Sequence, residues 1–147
     1  MTGRGGGSDR SSPAAPAPRR AARPRRSGVA APETPQATTG EIHQRDGHRC
    51  ARCGQRSQSV QHRIHGDRTD NRASNLVALC GDGTQGCHGW CESHRRDART
   101  LGWEVSKYRR QDTTEITVYY VNHPLSPGRP AWIRLRDDLT AELAEYA

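Results

Sequence analysis

The amino-acid sequence predicts a small domain of the α+β class, and three observations lead to that prediction. The chain has 147 residues, of which 31% are hydrophobic and none is phenylalanine, so it has room for only one small core. Segments with helical spacing of apolar residues are interspersed with short segments rich in β-branched and aromatic residues. Four of the five cysteines stand where two pairs of metal ligands are expected, as in small domains that need a metal ion to fold.

Residues 1–40 form a basic, proline-rich arm that we expect to be disordered. They contain seven arginines against Asp9 and Glu33, which gives +5 of the formal net charge of +7, and six of the nine prolines. Almost none of the side chains is apolar and larger than Val29, so the arm cannot bury enough surface to offset its chain entropy. Such an arm suits a polyanion, and we expect nucleic acid, with a merely solubilising tail as the alternative.

The composition also bears on the compartment. No apolar run approaches the roughly 18 residues that a membrane span needs, and the arginine-rich N-terminus lacks the apolar region of a secretory signal. We therefore expect a cytoplasmic protein with no membrane partner. Thiols stay reduced in that compartment, so five cysteines indicate metal binding rather than disulfides.

The first half of the chain predicts a helix, a strand, a loop and a second strand, in that order. Residues 41–49 have the character of one or two helical turns with Ile42 as the apolar anchor. A short strand is expected at 59–63. Residues 65–74 are rich in Asp, Asn and Gly and predict a polar loop, and 75–79 form a compact apolar run.

The second half predicts a helix followed by strands. Trp90, Ala98 and Leu101 share one helical face, and Gly102 is well placed to end that helix in the left-handed conformation. The terminal residues 139–147 have the pattern of a short helix. Three segments between them have strand character because they are rich in β-branched and aromatic residues. These segments are residues 103–108, 116–121 and 131–136.

The cysteine spacing predicts a structural zinc site. Cys50 and Cys53 are separated by two residues, the spacing with which two thiolates on a tight turn bind one tetrahedral Zn²⁺. Cys80 and Cys87 supply the other pair, and the glycine-rich segment between them is flexible enough to return both sulfurs to one metal. Cys91 is left over and is interpreted as a small buried apolar residue, since ordinary buried thiols are the usual alternative to ligands.

The order of these motifs resembles the HNH endonuclease family, which has the ββα-metal, or His-Me finger, fold. The resemblance covers about residues 41–103 and leaves 1–40 as the basic arm and 104–147 as a strand-rich C-terminal extension. The segment Cys87-His88-Gly-Trp90 is similar to the corresponding segment of small HNH proteins from phages and actinobacteria. The matching segments are Cys50-Ala-Arg-Cys53, Gln61-His62-Arg63, Asn75-Leu-Val-Ala-Leu-Cys80 and Cys87-His88-Gly-Trp90.

The resemblance implies a role for each polar residue of these motifs. His62 stands where the family has its general base, and Asn75 is expected to brace the loop and orient that histidine. His88 would bind the catalytic divalent cation together with Glu92, which is four residues further along the same helix face. Gln61 replaces the charged residue that usually completes this cation site, so its uncharged amide is expected to bind the metal more weakly.

Residues 41–100 contain ten arginines and no lysine. Six of them are expected to surround the site and to clamp phosphates, while others are simply solvated. Contacts to phosphate carry no sequence information, so low sequence specificity is expected. The six are Arg63, Arg68, Arg72, Arg95, Arg96 and Arg99.

These observations together predict a metal-dependent endonuclease that hydrolyses DNA phosphodiester bonds. It would carry structural Zn²⁺ and a catalytic Mg²⁺, or another divalent cation such as Mn²⁺ or Ni²⁺, with no small-molecule cofactor. A bacterial host, phage packaging proteins as partners and a packaging or restriction-like role follow from the resemblance. Two alternatives stay open: a catalytically weak or inactive zinc-ribbon module that binds nucleic acid, and an adaptor that docks to packaging machinery.

Overall fold

The computed structural model describes residues 35–144, which contain three α-helices, five strands and one 3₁₀ turn. Most of the basic arm predicted at 1–40 therefore lies outside the described residues. The helices and the turn are α1 (Thr39–Arg45), α2 (Gly86–Ser93), α3 (Arg95–Thr100) and the 3₁₀ turn Ala73–Asn75. The strands are β1 (Ser59–His62), β2 (Leu76–Leu79), β3 (Val118–Tyr120), β4 (Ala131–Leu135) and β5 (Ala141–Leu143).

Helix α1 begins before the predicted boundary at residue 41. The Thr38 side chain accepts a hydrogen bond from the Glu41 amide, and the Glu41 carboxylate accepts one from the Thr38 amide. This reciprocal capping satisfies two amide groups that the first helical turn cannot pair internally. Ile42 is fully buried, as its assignment to the apolar anchor predicts.

Two antiparallel sheets follow α1. Strands β1 and β2 form a two-stranded hairpin in which Ser59 pairs with Leu79 and His62 with Leu76. Strands β3, β4 and β5 form a second sheet in that order. The small α+β class is therefore confirmed.

One core joins the predicted nuclease segment 41–103 to the extension 104–147. Its buried residues come from both sides of that boundary, and they include Leu79 and Trp103 on one side and Tyr120 and Ile133 on the other. The extension thus covers apolar surface that the first segment would otherwise expose to water.

The C-terminal elements differ from the sequence expectation in two places. Residues 139–147 were expected to form a short helix, but Ala141–Leu143 pair with β4 as a strand. Residues 103–108 form no strand, and only Val105 makes an isolated parallel bridge, to Ile64. Gly102 does adopt the left-handed conformation, with φ +77°, at the end of α3.

Within residues 35–144, no helix is both long enough and apolar enough to traverse a lipid bilayer.

Candidate metal centre and adjoining cleft

The four cysteines that were predicted to bind metal converge on one point. The sulfur atoms of Cys50, Cys53, Cys80 and Cys87 all lie within 4.8 Å of one another, and the sulfurs of Cys53 and Cys80 are 3.7 Å apart. A tetrahedral Zn²⁺ with bonds of about 2.3 Å requires sulfur–sulfur separations of roughly 3.8 Å. The donor set therefore fits a metal ion such as zinc.

The loop between Cys80 and Cys87 returns both sulfurs to this point because of its turn residues. Asp82 accepts hydrogen bonds from the backbone amide and the hydroxyl of Thr84, which closes the turn. Gly81 has φ +75°, and a Cβ atom there would collide with the Gln85 carbonyl oxygen. A six-residue spacing between paired ligands is tolerated here because the intervening chain folds back on itself.

Arg52, which the sequence did not single out, places a positive charge next to the cysteine cluster. An Arg52 nitrogen lies 3.4 Å from the Cys87 sulfur, and the Arg52 guanidinium also stacks 4.0 Å from the centre of the Trp90 ring. Burial raises the pKa of Cys50, so its thiolate needs nearby positive charge to form. Arg52 and a bound cation both provide such charge.

A cleft of about 710 Å³ lies between the β1–β2 hairpin and α2. Three of the residues predicted to act in catalysis or to bind the catalytic cation line it: His62 at the end of β1, and His88 and Glu92 on α2. Cys87 directly precedes His88, so the four-cysteine cluster lies at the start of the helix that carries both α2 residues. The structure brings these three side chains to one surface.

His88 is held in an orientation that suits metal binding. Its Nδ1 atom lies 2.7 Å from the Ser59 hydroxyl, and its Nε2 atom is 4.0 Å from a Glu92 carboxylate oxygen. Burial lowers the pKa of His88 in spite of the opposing effect of Glu92 and Asp82, which favours the neutral imidazole that a metal requires. One imidazole nitrogen and one carboxylate are therefore available to a divalent cation.

Gln61 does not join this pair, contrary to the expectation from the sequence. Successive side chains of a strand point to opposite faces, so His62 faces the cleft and Gln61 faces the interior. The Gln61 side chain is only 3% exposed, and its amide donates to the carbonyl of Trp103 at 2.6 Å. Its buried Oε1 atom has no hydrogen-bond partner.

His62 is oriented by Asn71 rather than by the predicted Asn75. The Nε2 atom of His62 lies 2.8 Å from the Asn71 Oδ1 atom. Asn75 is fully buried and instead accepts from the Ile64 amide and donates to the Asp70 carbonyl. Asn75 therefore joins the backbone at the two ends of the loop, while Asn71 of that loop contacts the histidine.

Arg63 is not at the surface, so its predicted phosphate contact is wrong. The side chain is fully buried, and its guanidinium donates to the backbone carbonyls of Gly102, Ser74, Thr113 and Ile116. Burial lowers the pKa of Arg63 to about 10, which still leaves it charged at neutral pH. Its charge is used to hold four chain segments together.

The other predicted phosphate-binding arginines differ in their exposure and in whether a carboxylate compensates their charge. Arg68 is exposed and lines the cleft. Arg72 is paired with Asp70 and Asp112 at 3.0 Å each and approaches Asp137, so its charge is largely compensated.

The three arginines of α3 are all exposed; Arg96 has no ion pair among those of the described residues, and the remaining two form one ion pair each. These are Arg95 with Glu92 at 3.8 Å and Arg99 with Glu104 at 3.2 Å.

The cleft also contains two residues that the sequence did not single out as ligands or catalysts. His65 and Asp67 line it from the loop after β1. The Asp67 carboxylate accepts hydrogen bonds from the amide and hydroxyl of Thr69, which forms a turn. The sequence predicts that this loop is polar and rich in turns, but it does not indicate this particular turn. Their position beside His62 depends on how the loop folds back, which residue spacing alone does not reveal.

Across residues 35–144, one group of three or more potential metal ligands has its donor atoms close together, and that group is the four cysteines. The His88–Glu92 pair in the cleft offers only two donor groups. Comparisons with models of protein families, with curated proteins and with solved structures found no match to this chain.

Proposed function

We propose that this protein is a metal-dependent endonuclease that hydrolyses DNA phosphodiester bonds with low sequence specificity. The observation that carries the proposal is the cleft in which His62 from β1 lies on the same surface as His88 and Glu92 from α2. This hydrolysis needs a general base, a site for a divalent metal ion and a positively charged side chain that binds phosphate. Arg68 supplies the positively charged side chain.

His62 is the proposed general base. The Asn71 Oδ1 atom can only accept a hydrogen bond, so it selects the form of His62 that carries its proton on Nε2. The lone pair then resides on Nδ1, and that nitrogen takes the proton of the attacking water. The hydrogen bond to Asn71 also stabilises the positive charge that His62 gains.

His88 and Glu92 are the proposed ligands of a divalent cation. A nitrogen and a carboxylate oxygen are acceptable to Mg²⁺, Mn²⁺ or Ni²⁺, and the open positions remain for water and phosphate oxygens. Such a cation, when bound, neutralises charge on the phosphate and on the leaving oxygen. The Ser59 hydroxyl contributes by holding the other nitrogen of His88, which keeps Nε2 directed at the Glu92 side.

The four-cysteine centre supports the cleft without taking part in the reaction. A zinc ion there is expected to fix Cys87, and through it the first turn of α2 that carries His88. We propose a bacterial host and a role in phage packaging or a restriction-like process on the sequence resemblance alone, with packaging proteins as possible partners.

Nicking of supercoiled plasmid tests the activity. Wild type is compared with His62→Ala and His88→Ala in Mg²⁺, Mn²⁺ or Ni²⁺, with zinc content measured for each protein as a control for folding. We expect His62→Ala to lower the rate by roughly 100-fold or more, since a positioned base contributes about 10²–10⁴. Equal rates for wild type and His62→Ala would exclude this mechanism.

The orientation of Gln61 favours one second candidate, a zinc-containing module that binds nucleic acid without cutting it. Because Gln61 is buried and faces away from the cleft, it cannot strengthen the cation site of His88 and Glu92. A protein that binds DNA but shows no cleavage above His62→Ala in any of the three metals would match this candidate.

A further inference from the structure

Residues 107–110 (Lys107, Tyr108, Arg109 and Arg110), here named the basic aromatic patch, form an exposed surface that the proposed reaction does not use. The Tyr108 side chain is 82% exposed, against 43% for Leu125 and 50% for Leu143. The Lys107 ammonium lies 5.1 Å from the centre of the Tyr108 ring. The ring is therefore open to water beside one cation, with the half-buried Arg109 and the exposed Arg110 following it in the chain, which is a combination that suits a planar, anionic ligand.

The patch is attached directly beside the candidate catalytic histidine. The Val105 amide donates to the Arg63 carbonyl at 2.6 Å, and the Val105 carbonyl accepts from the His65 amide at 3.4 Å. Residues 106–110 therefore leave the core next to the chain segment that directly follows His62. The placement of the patch follows from backbone pairing and not from a flexible side chain.

The far end of the same loop is also anchored. The buried Arg63 guanidinium donates to the carbonyls of Thr113 and Ile116, and Asp112 forms an ion pair with Arg72 at 3.0 Å. Residues 106–112 are thus fastened on both sides. A loop held in this way presents Tyr108 at a defined position, which lowers the entropy that binding would cost.

A cavity of about 530 Å³ connects the patch to the cleft. Lys107 and Arg109 line one side of it, while His65 and Asp67 line both this cavity and the cleft of His62. Two carboxylates also line the cavity: the charge of Asp70 is compensated by Arg72 at 3.0 Å, and Asp67 accepts hydrogen bonds from Thr69 and precedes the exposed Arg68 of the cleft. A chain of phosphates that leaves the cleft can therefore continue toward the cations of the patch.

We infer that the basic aromatic patch binds single-stranded DNA next to the cleft, with the Tyr108 ring stacked on a base and with Lys107 and Arg110 at the neighbouring phosphates. Exposed aromatic rings among cations bind single strands because the faces of unpaired bases are free, whereas in a duplex neighbouring bases cover them. The inference rests on the proposed nuclease function and extends it to the substrate, which would be unpaired or locally melted DNA.

Fluorescence anisotropy tests this assignment through binding, without turnover. Full-length wild type, Tyr108→Ala and Tyr108→Trp are titrated into a labelled oligonucleotide and into its duplex of equal length, with no divalent cation added. Leu125→Ala is the matched control, because it removes an exposed apolar side chain that lines neither the cavity nor the cleft. Zinc content verifies that each variant is folded.

We expect Tyr108→Ala to weaken single-strand binding about 10-fold, with little change for the duplex, since stacking of one base on one ring has that magnitude. Tyr108→Trp should retain the affinity, and Leu125→Ala should leave both titrations unchanged. Arg110→Ala should lower the salt dependence of binding by the contribution of about one phosphate contact.

Two results would overturn the inference: an unchanged single-strand affinity in Tyr108→Ala, or an equal loss for single strand and duplex. Its failure is distinguishable from that of the nuclease proposal. If Tyr108→Ala loses single-strand binding but wild type never nicks DNA, the patch stands and the nuclease fails. If wild type nicks DNA and Tyr108→Ala binds like wild type, the reverse holds.

Discussion

At the scale of single residues, the strand β1 and the residue after it show how one short segment serves two purposes. Side chains alternate along it, so Gln61 and Arg63 are buried in the interior while Val60 and His62 are half-buried and line the cleft. This alternation was available from the sequence and argues against placing Gln61 in the same cleft as His62, where it was predicted to join the cation site of His88 and Glu92. The four carbonyl partners of Arg63 come from distant segments, and no local pattern could have indicated them.

Arg63 and Arg68 therefore respond differently to the same substitution. Arg63→Met leaves four buried carbonyl oxygens without a donor, so we expect the free energy of unfolding to fall by on the order of 3 kcal/mol or more. Arg68→Met, at an exposed position of the cleft, should change stability by less than about 0.5 kcal/mol and weaken DNA binding. Urea unfolding and DNA titration of both variants provide the comparison. Equal stabilities would contradict the structural role of Arg63.

The orientation of His62 by Asn71 gives a second prediction at this scale. Asn71→Ala removes the acceptor for His62 Nε2, so we expect the nicking rate to fall by roughly 10-fold or more while zinc content and stability stay near wild type. Asn71→Asp keeps an acceptor and should retain more activity than Asn71→Ala, with an altered pH profile because a carboxylate favours protonated His62. If the two variants have the same rates and pH profiles, Asn71 does not position the base.

At the scale of elements, local patterns identified most of the helices and strands, but they predicted one helix where α2 and α3 are separated at His94, a strand at 103–108 that does not form, and a helix in place of the last strand. The sequence of residues 139–147 has the alanine, leucine and glutamate content of a helix, yet Leu143 pairs with Ile133 of β4 and Ala141 with Leu135. Tertiary pairing outweighs a weak intrinsic preference in so short a segment. The end of α3 was predictable, because a glycine in left-handed conformation is a local requirement.

Two glycines test this element-level account. Gly102 has φ +77°, and an added Cβ would collide with the Thr117 carbonyl, so Gly102→Ala should lower stability by more than about 1 kcal/mol. Gly40 lies within α1 with open space around it, so Gly40→Ala should raise stability by roughly 0.5–1 kcal/mol. Thermal unfolding of both variants measures the difference. A stable Gly102→Ala protein would show that the turn after α3 is not constrained as described.

At the scale of the whole molecule, the cysteine centre and the shared core hold one small domain together. The two cysteine pairs were predictable because the members of each pair are close in sequence, whereas the contribution of residues 118–135 to the core was not. The sequence resemblance ended at residue 103, but the buried core includes residues beyond that point. A core this small makes a bound metal an important part of the folding free energy.

Metal removal tests that dependence. We expect about one equivalent of zinc in purified protein and loss of cooperative thermal unfolding after treatment with a strong chelator. Cys80→Ser should lose the zinc, while Cys91→Ala should retain it, because the Cys91 sulfur is not part of the four-cysteine group. Retention of zinc by Cys80→Ser, or a chelated protein that unfolds like the untreated one, would contradict a structural metal at this site.

The most direct test of the central claim, that a second cation at His88 and Glu92 supports cleavage while zinc supports the fold, is a titration of nicking against added Mg²⁺ or Mn²⁺ at constant zinc content. Protein with one equivalent of zinc and no added cation should leave supercoiled plasmid intact. Added cation should restore nicking in wild type but not in His88→Ala or His62→Ala. Nicking that is independent of added cation, or that persists equally in either variant, would contradict the claim.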